Sequence, residues 1–333
     1  SIRVKNKFLK LINNDTLLKD ATNFFKEFIF NPNTSESSFS EEIFNEEKRI
    51  LRDHIKNIYN NKPLYAFNRL LTEMAPDEII SVTSMGNLEE LEKITPESIY
   101  QEYQNLVTKE MAKIYVIGDI TEAEVSKIFE SFPFAVNNLT LESTSKEEKH
   151  IEKVNEVIET QNVNQAQLMM GFRTNVNSLD PLYIPMVVFN MMFGGMAASD
   201  LFRVVREENS LSYTVGSSIF FSNRLLIVSA GIDSKNYNLA TDLIIKELER
   251  YKSGDIDESL MQVAKDNLIS GLQETDDDAH SYVMFVIKNS LLKNYSIDDM
   301  INLVNEVTLE DVHKASQSIE IDTIYFLKGD GNE

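Results

Sequence analysis

A chain of 333 residues exceeds the ~150 typical of one domain, and a 42% hydrophobic content lets each of two units bury a core. The absence of cysteine excludes disulfides, a Cys-ligated metal and a thiol nucleophile, and fits a reducing, cytoplasmic setting. With 32 basic against 53 acidic residues, net −21, nucleic acid and anionic membranes are poor partners, because phosphate binding draws on Lys and Arg. No apolar run approaches the ~20 residues of a membrane span, and residues 1–10 lack the apolar stretch of a secretory signal.

Taken in order, the elements recur. Phe24-Phe25-Lys26-Glu27-Phe28 matches Ile244-Ile245-Lys246-Glu247-Leu248 at an offset of 220. A polar Pro/Ser stretch at 31–38 reads as a loop insertion in the first copy. Beyond it the offset is 213: Asp53 falls on Asp266, Ile55 on Leu268, Ala66 on Ala279 and Leu91 on Val304. Ile94-Thr95-Pro96-Glu97 likewise falls on Val307-Thr308-Leu309-Glu310. Each copy closes with a strand-like run, Ile114-Tyr115-Val116-Ile117-Gly118-Asp119 and Ile324-Tyr325-Phe326-Leu327-Lys328-Gly329-Asp330.

The charged segment 137–153 reads as a linker, which divides the chain into a partial N-terminal domain, 1–136, and a C-terminal domain, 154–333. The counterparts of 154–220 have no match at the front of the chain, so the first domain is expected to be N-terminally truncated. In the second copy, 165–174 is a predicted strand, and Asp180-Pro181 opens a helix that Gly194-Gly195 ends near Phe193. Helical spacing resumes over 199–208, a hairpin is predicted from 212–222 and 224–232, and helices from 236–252, 257–276 and 279–292. A helix at 309–318 precedes the last strand. Strands at both ends of a helical set define an α+β class, twice over, each an antiparallel sheet with helices packed on one face.

Phe193 to Tyr213 carries a Gly-rich turn, Ser199-Asp200-Leu201-Phe202, and Val205-Arg206-Glu207-Glu208-Asn209-Ser210-Leu211-Ser212-Tyr213. This run resembles the C-terminal domain of the pitrilysin (insulinase-like) peptidases, whose pattern is V-R-E-K-x-x-L-x-Y, with Glu208 here at the usual Lys. Phe44-Asn45-Glu46-Glu47-Lys48-Arg49-Ile50-Leu51-Arg52-Asp53-His54-Ile55 similarly resembles the family's F-x-x-E-[KR]-x-V-x-x-E-E-I helix. The resemblance spans nearly the whole chain and points to the short bacterial members that look catalytically defective and sit beside an active paralogue. It implies a clamshell half of α+β fold.

The resemblance implies zinc held by an inverted H-x-x-E-H helix plus a distal Glu, an open site with room for water. No H-x-x-E-H or H-E-x-x-H occurs, and none of the four histidines, His54, His150, His280 and His313, lies three or four residues from another. His54 occupies the distal-ligand position, where a polar residue on a solvated helix is the plainer reading. No catalytic residue and no metal are therefore assigned to this chain. The resemblance makes Arg206 and Tyr213 substrate contacts, the one donating to a peptide carbonyl and the other to an oxyanion, with Gly194 and Gly195 allowing close peptide approach. Read structurally instead, the same residues are an Arg ion-paired at a helix end, a half-buried strand Tyr and a helix stop. The functional expectation is a non-catalytic subunit that binds peptide for a catalytic paralogue or a homo-oligomer. The alternatives are a zinc endopeptidase whose ligands lie elsewhere in a longer parent, and a purely structural or peptide-binding module.

Overall fold

The structure, a computed structural model, describes residues 17–35, 37–134, 149–290 and 293–329. In chain order the first elements are α1 (Leu17–Phe30), β1 (Thr34–Ser35), β2 (Ser38–Phe39), α2 (Glu41–Ile58) and α3 (Lys62–Met74). After a 3₁₀ turn at Ile79–Ser81 come α4 (Leu88–Lys93), α5 (Pro96–Lys109) and α6 (Glu122–Phe129). The sequence continues with β3 (Asn155–Thr160), β4 (Ala166–Arg173), α7 (Tyr183–Asn190) and two π-helical turns, Met191–Gly195 and Phe202–Glu208. It ends with β5 (Ser212–Phe220), β6 (Leu225–Ile232), α8 (Tyr237–Lys252), α9 (Glu258–Asp277), α10 (Ala279–Asn289), α11 (Ile297–Glu306), α12 (Leu309–Gln317) and β7 (Glu320–Lys328). Two compact units result, Ser1–Ile55 with Gly86–Thr144, and Lys56–Met85 with Ser145–Glu333. Of the expected linker 137–153, residues 137–148 lie outside the described residues.

The larger unit is built on a five-stranded sheet in the order β3-β7-β4-β6-β5. Its β4, β6, β5 and β7 pair antiparallel, as expected for the α+β class, while β3 joins β7 in parallel. Side chains alternate across a strand, so each strand serves two layers. Leu168, Met170 and Phe172 of β4, with Val228 and Phe326, enter one core with Phe189, Ile244, Leu248, Val304 and Val312 of the helices. Met169, Leu225, Ile227, Tyr325 and Leu327 point the other way, onto Ala66, Leu70, Leu71 and Met74 of α3. Helices therefore cover both faces rather than the single face expected. The reason lies in the strands, since near-continuous apolar runs such as Leu225–Ile232, interrupted only by Ser229, are what a sheet buried on both sides requires. Gly171 admits α3 closely: a Cβ there would lie 2.5 Å from Met74 Sδ.

Polar contacts lock α3 in place. The Glu159 carboxylate accepts from Tyr65 Oη (2.8 Å), Tyr325 Oη (2.7 Å), Gln161 Nε2 (2.6 Å) and Arg69 Nε (3.3 Å). Burial works against that carboxylate, but the bonds from Tyr325, Tyr65, Gln161 and Arg69 outweigh it and hold its pKa below the ordinary value. Burial and the same Glu159 push the Tyr65 phenol up to about 12.

The internal duplication is visible in side-chain geometry, and it corrects the register read from sequence. In the smaller unit Lys48 Nζ donates to the carbonyls of Glu92 (3.2 Å) and Ile94 (3.1 Å), at the end of α4. In the larger unit Lys265 Nζ donates to those of Asn305 (2.9 Å) and Val307 (2.6 Å), at the end of α11. Each lysine thus satisfies carbonyls that a helix end leaves without intrahelical donors. The two lysines are 217 apart whereas their acceptors are 213 apart, so α2 aligns with α9 at 217, and Asp53 does not pair with Asp266. The extra residues of the first copy are accordingly split between 31–40 and the longer loop 75–87. The offset of 213 does hold beyond that loop, where Thr95 and Thr308 are both N-caps closing a capping box. Replacing Lys265 by methionine is expected to lower stability by about 1–3 kcal/mol, by leaving the buried Val307 carbonyl and the partly buried Asn305 carbonyl without this donor. Lys48→Met, at the more exposed copy, is expected to cost less; denaturant midpoints of the two variants check both.

The first copy's closing run Ile114-Tyr115-Val116-Ile117 forms no ladder, contrary to the strand expected there; among the described residues of its unit the only sheet pairing is β1 with β2. A strand signal specifies a pleated, half-buried segment, and without neighbouring strands it stays an extended coil.

Candidate functional site

The segment from Asn190 to Phe220 is held by close packing and one buried carboxylate. Gly194 is buried where the first π-helical turn crosses β5: an added Cβ would lie 2.6 Å from Ser217 Oγ and 2.8 Å from Ser217 N. Ser217 Oγ is also 2.8 Å from Asn190 Oδ1. Gly194 thus serves backbone packing inside the fold, while Gly195 is exposed and sits against Asn190.

Asp200 fixes the following helix. It is buried, and its carboxylate accepts from Arg203 Nη2 (2.6 Å), Tyr251 Oη (2.6 Å) and Arg250 Nη2. Arg250 in turn donates to Glu247 (2.9 Å) and to the Asp255 carbonyl (2.6 Å), which ties the Phe202–Glu208 turn to α8. Burial, with Asp200 beside it, pushes the Tyr251 phenol far above its ordinary range. At the other end Ser210 takes a left-handed φ of 52°, and Leu211 N–H donates to the Val205 carbonyl (2.9 Å).

This scaffold presents Arg206 and Tyr213 outward. Arg206 is exposed and its guanidinium lies 4.5 Å over the Phe202 ring; among the described residues it makes no ion pair. Tyr213, near the start of the edge strand β5, is 81% exposed. The structure therefore has neither the ion-paired Arg nor the half-buried Tyr that a purely structural role calls for.

Metal chemistry does not fit the described residues. His54 and Asp53 are exposed on α2, where Asp53 faces Arg49 at 3.6 Å, and no group of three or more His, Asp or Glu suited to a metal assembles among the described residues. One exposed imidazole without further converging donors lacks the three-ligand set that zinc requires.

Fold and motif together define a peptidase-family scaffold. The family description "Peptidase M16 inactive domain" matches residues 93–268. A curated Bacillus subtilis protein, "Probable inactive metalloprotease YmfF", is 32% identical over 329 residues, covering 96% of this chain and 76% of its own length. The "Uncharacterized zinc protease YmxG" of the same organism is 26% identical over 85% of this chain and 69% of that protein. A conserved Enterococcus faecalis protein of solved structure superposes with a TM-score of 0.90 at 28% identity, over 98% of this chain and 77% of that one. The chain belongs to the peptidase M16 family, which bears out the pitrilysin-type resemblance and the α+β fold. It is a homologue of the family's inactive members.

Sequence reasoning missed Asp200, Arg250 and Tyr251 as a unit. Asp200 and its near partner Arg203 sit in the motif, but Arg250 and Tyr251 lie about fifty residues on; a buried ion cluster assembled across elements leaves no local signal.

Proposed function

We propose that this chain is a non-catalytic M16 subunit that binds an extended peptide through Arg206 and Tyr213 and lends those contacts to a zinc-bearing paralogue. What carries the reading is the outward presentation of both side chains, neither in an ion pair or side-chain hydrogen bond among the described residues, on a segment fixed by the buried Asp200. An Arg fork and a phenol suit a peptide backbone, whose carbonyls accept from both, and such donors gain strength where a partner excludes water. The zinc and the attacking water belong to the paralogue. No helix among the described residues is long and apolar enough to cross a membrane. We place this partnership in the cytoplasm, a reducing compartment that suits a chain without cysteine.

The test is titration of a labelled unstructured peptide by fluorescence anisotropy. Arg206→Ala is expected to weaken binding about tenfold, the loss of one charge-assisted hydrogen bond, with thermal stability unchanged because the side chain is exposed. Peptide affinity that is the same with and without Arg206 and Tyr213 contradicts the reading.

A further inference from the structure

A depression on the larger unit has no carboxylate in its described lining, in a chain with 53 acidic and 32 basic residues. It measures about 470 Å³ and lies between the start of α3 and the β3–β4 loop, with Lys62 and Pro63 on one side and Asn162, Asn164, Gln165 and Gln167 on the other. Its one cation is not balanced by a carboxylate. Lys62 Nζ donates to Gln161 Oε1 (2.7 Å) and lies 3.7 Å over the Tyr59 ring, and it forms no ion pair among the described residues. Glu159, the carboxylate behind Gln161, is taken up by Gln161 Nε2 (2.6 Å), the phenols of Tyr65 and Tyr325, and Arg69. An ammonium carries three N–H donors, so Lys62 keeps donors for a ligand. Gln167 adds a complementary group. It is 7% exposed, its Nε2 donates to the Gln165 carbonyl (3.3 Å), and its Oε1 accepts from no described donor, whereas buried amide oxygens ordinarily hold an N–H. The depression also lies at the end of the sheet that carries Tyr213. Ile232 pairs with Ala166 of β4 on one side and with Ser212 of β5 on the other. Two strand spacings, about 10 Å, separate those strands, a distance that about three residues of extended peptide span.

We propose that this depression takes the C-terminal carboxylate of the peptide that Arg206 and Tyr213 hold. The carboxylate meets Lys62 and the exposed amides of Asn162 and Asn164, and Gln167 Oε1 accepts the N–H of the last peptide residue. The inference rests on the reading that Arg206 and Tyr213 contact the peptide backbone, and it adds a chain direction and a free end a few residues beyond that contact. One ammonium balances one negative charge, so a carboxylate suits the site. A phosphate dianion does not, in a chain of net charge −21.

Fluorescence anisotropy with three N-terminally labelled forms of one unstructured peptide tests this. One form ends in a free carboxylate, one in a C-terminal amide, and one in an aspartate whose terminus is amidated. The first comparison uses the unsubstituted protein, so it does not depend on a variant folding. Amidation is expected to weaken binding about tenfold, the loss of one charge-assisted contact, and the aspartate amide is expected not to restore it. Lys62→Met is expected to bring the free acid down to the affinity of the amide and to leave the amide where it was. Equal affinities of acid and amide overturn the proposal. An aspartate amide that binds as tightly as the free acid overturns it too, by assigning the depression to acidic side chains. Arg206→Ala separates the two claims. Acid and amide that bind equally, and are both weakened by Arg206→Ala, leave the backbone reading standing and sink the carboxylate site. A tenfold effect of amidation in a protein whose affinity Arg206→Ala does not change supports the carboxylate site and removes the backbone reading.

Discussion

Replacing Arg173 by methionine is expected to remove about 3–5 kcal/mol of stability from the larger unit, the cost of leaving buried charges without their partner. Arg173 is buried at the end of β4, and all three arms of its guanidinium are used. Nε meets Asp322 Oδ2 at 2.7 Å, Nη1 meets Glu78 Oε1 at 2.8 Å and Nη2 meets the Met74 carbonyl at 2.9 Å. The residue thus ties the C-terminus of α3 to β4 and β7, on the sheet face opposite the main core. Methionine fills a similar volume but leaves Asp322 with the Thr323 hydroxyl and Glu78 with Lys149. Hydrogen exchange of β4 amides measures the loss within this unit alone, and a second substitution, Asp322→Asn, is expected to restore part of it. A loss under about 1 kcal/mol would mean that Lys149 and water replace the guanidinium.

Gly194→Val is expected to cost about 1–3 kcal/mol and to disturb peptide binding at the same time. The added atoms meet Ser217 backbone, at 2.8 Å from its nitrogen, so flexible side chains cannot absorb the clash. Either β5 or the Met191–Gly195 turn has to move; the Arg206 helix lies on the chain between them and Tyr213 on β5 itself. Gly195→Ala, whose Cβ meets Asn190 at 2.9 Å at an exposed position, is expected to do less. Urea midpoints and peptide titrations of the two variants separate the effects; loss of binding by Gly195→Ala alone would mean that Gly195 itself touches peptide.

What was legible in the sequence was what local patterns encode. The β5–β6 hairpin, the strand 166–173 and the helices α8, α9 and α12 follow from periodicity and caps, and the motif around Arg206 placed the chain in its family. Non-local pairing was not legible: β3 reads as a polar segment, Asn-Glu-Val-Ile-Glu-Thr, and becomes a strand only because β7 lies alongside it. The helix α11 was missed although Ser296 and Asp299 form a capping box. The position of α3 was hidden because the second sheet face looks like more core in a continuous apolar run. The register of the duplication slipped by four in α2 because a matched Asp carries less information than Lys48, whose role appears only when its carbonyl acceptors are seen. Arg206 and Tyr213 were nameable from the motif, but their exposure and the Asp200 anchor beneath them depend on packing.

The central claim, a non-catalytic subunit that lends substrate contacts, is tested most directly by cleavage of an unstructured peptide, with and without chelator, by three samples. These are this chain alone, a zinc-binding M16 paralogue alone, and their mixture. Chelator-sensitive cleavage that rises in the mixture, and falls back when this chain carries Arg206→Ala, is the expected result. Chelator-sensitive cleavage by this chain alone contradicts the account and makes His54 the first ligand to replace.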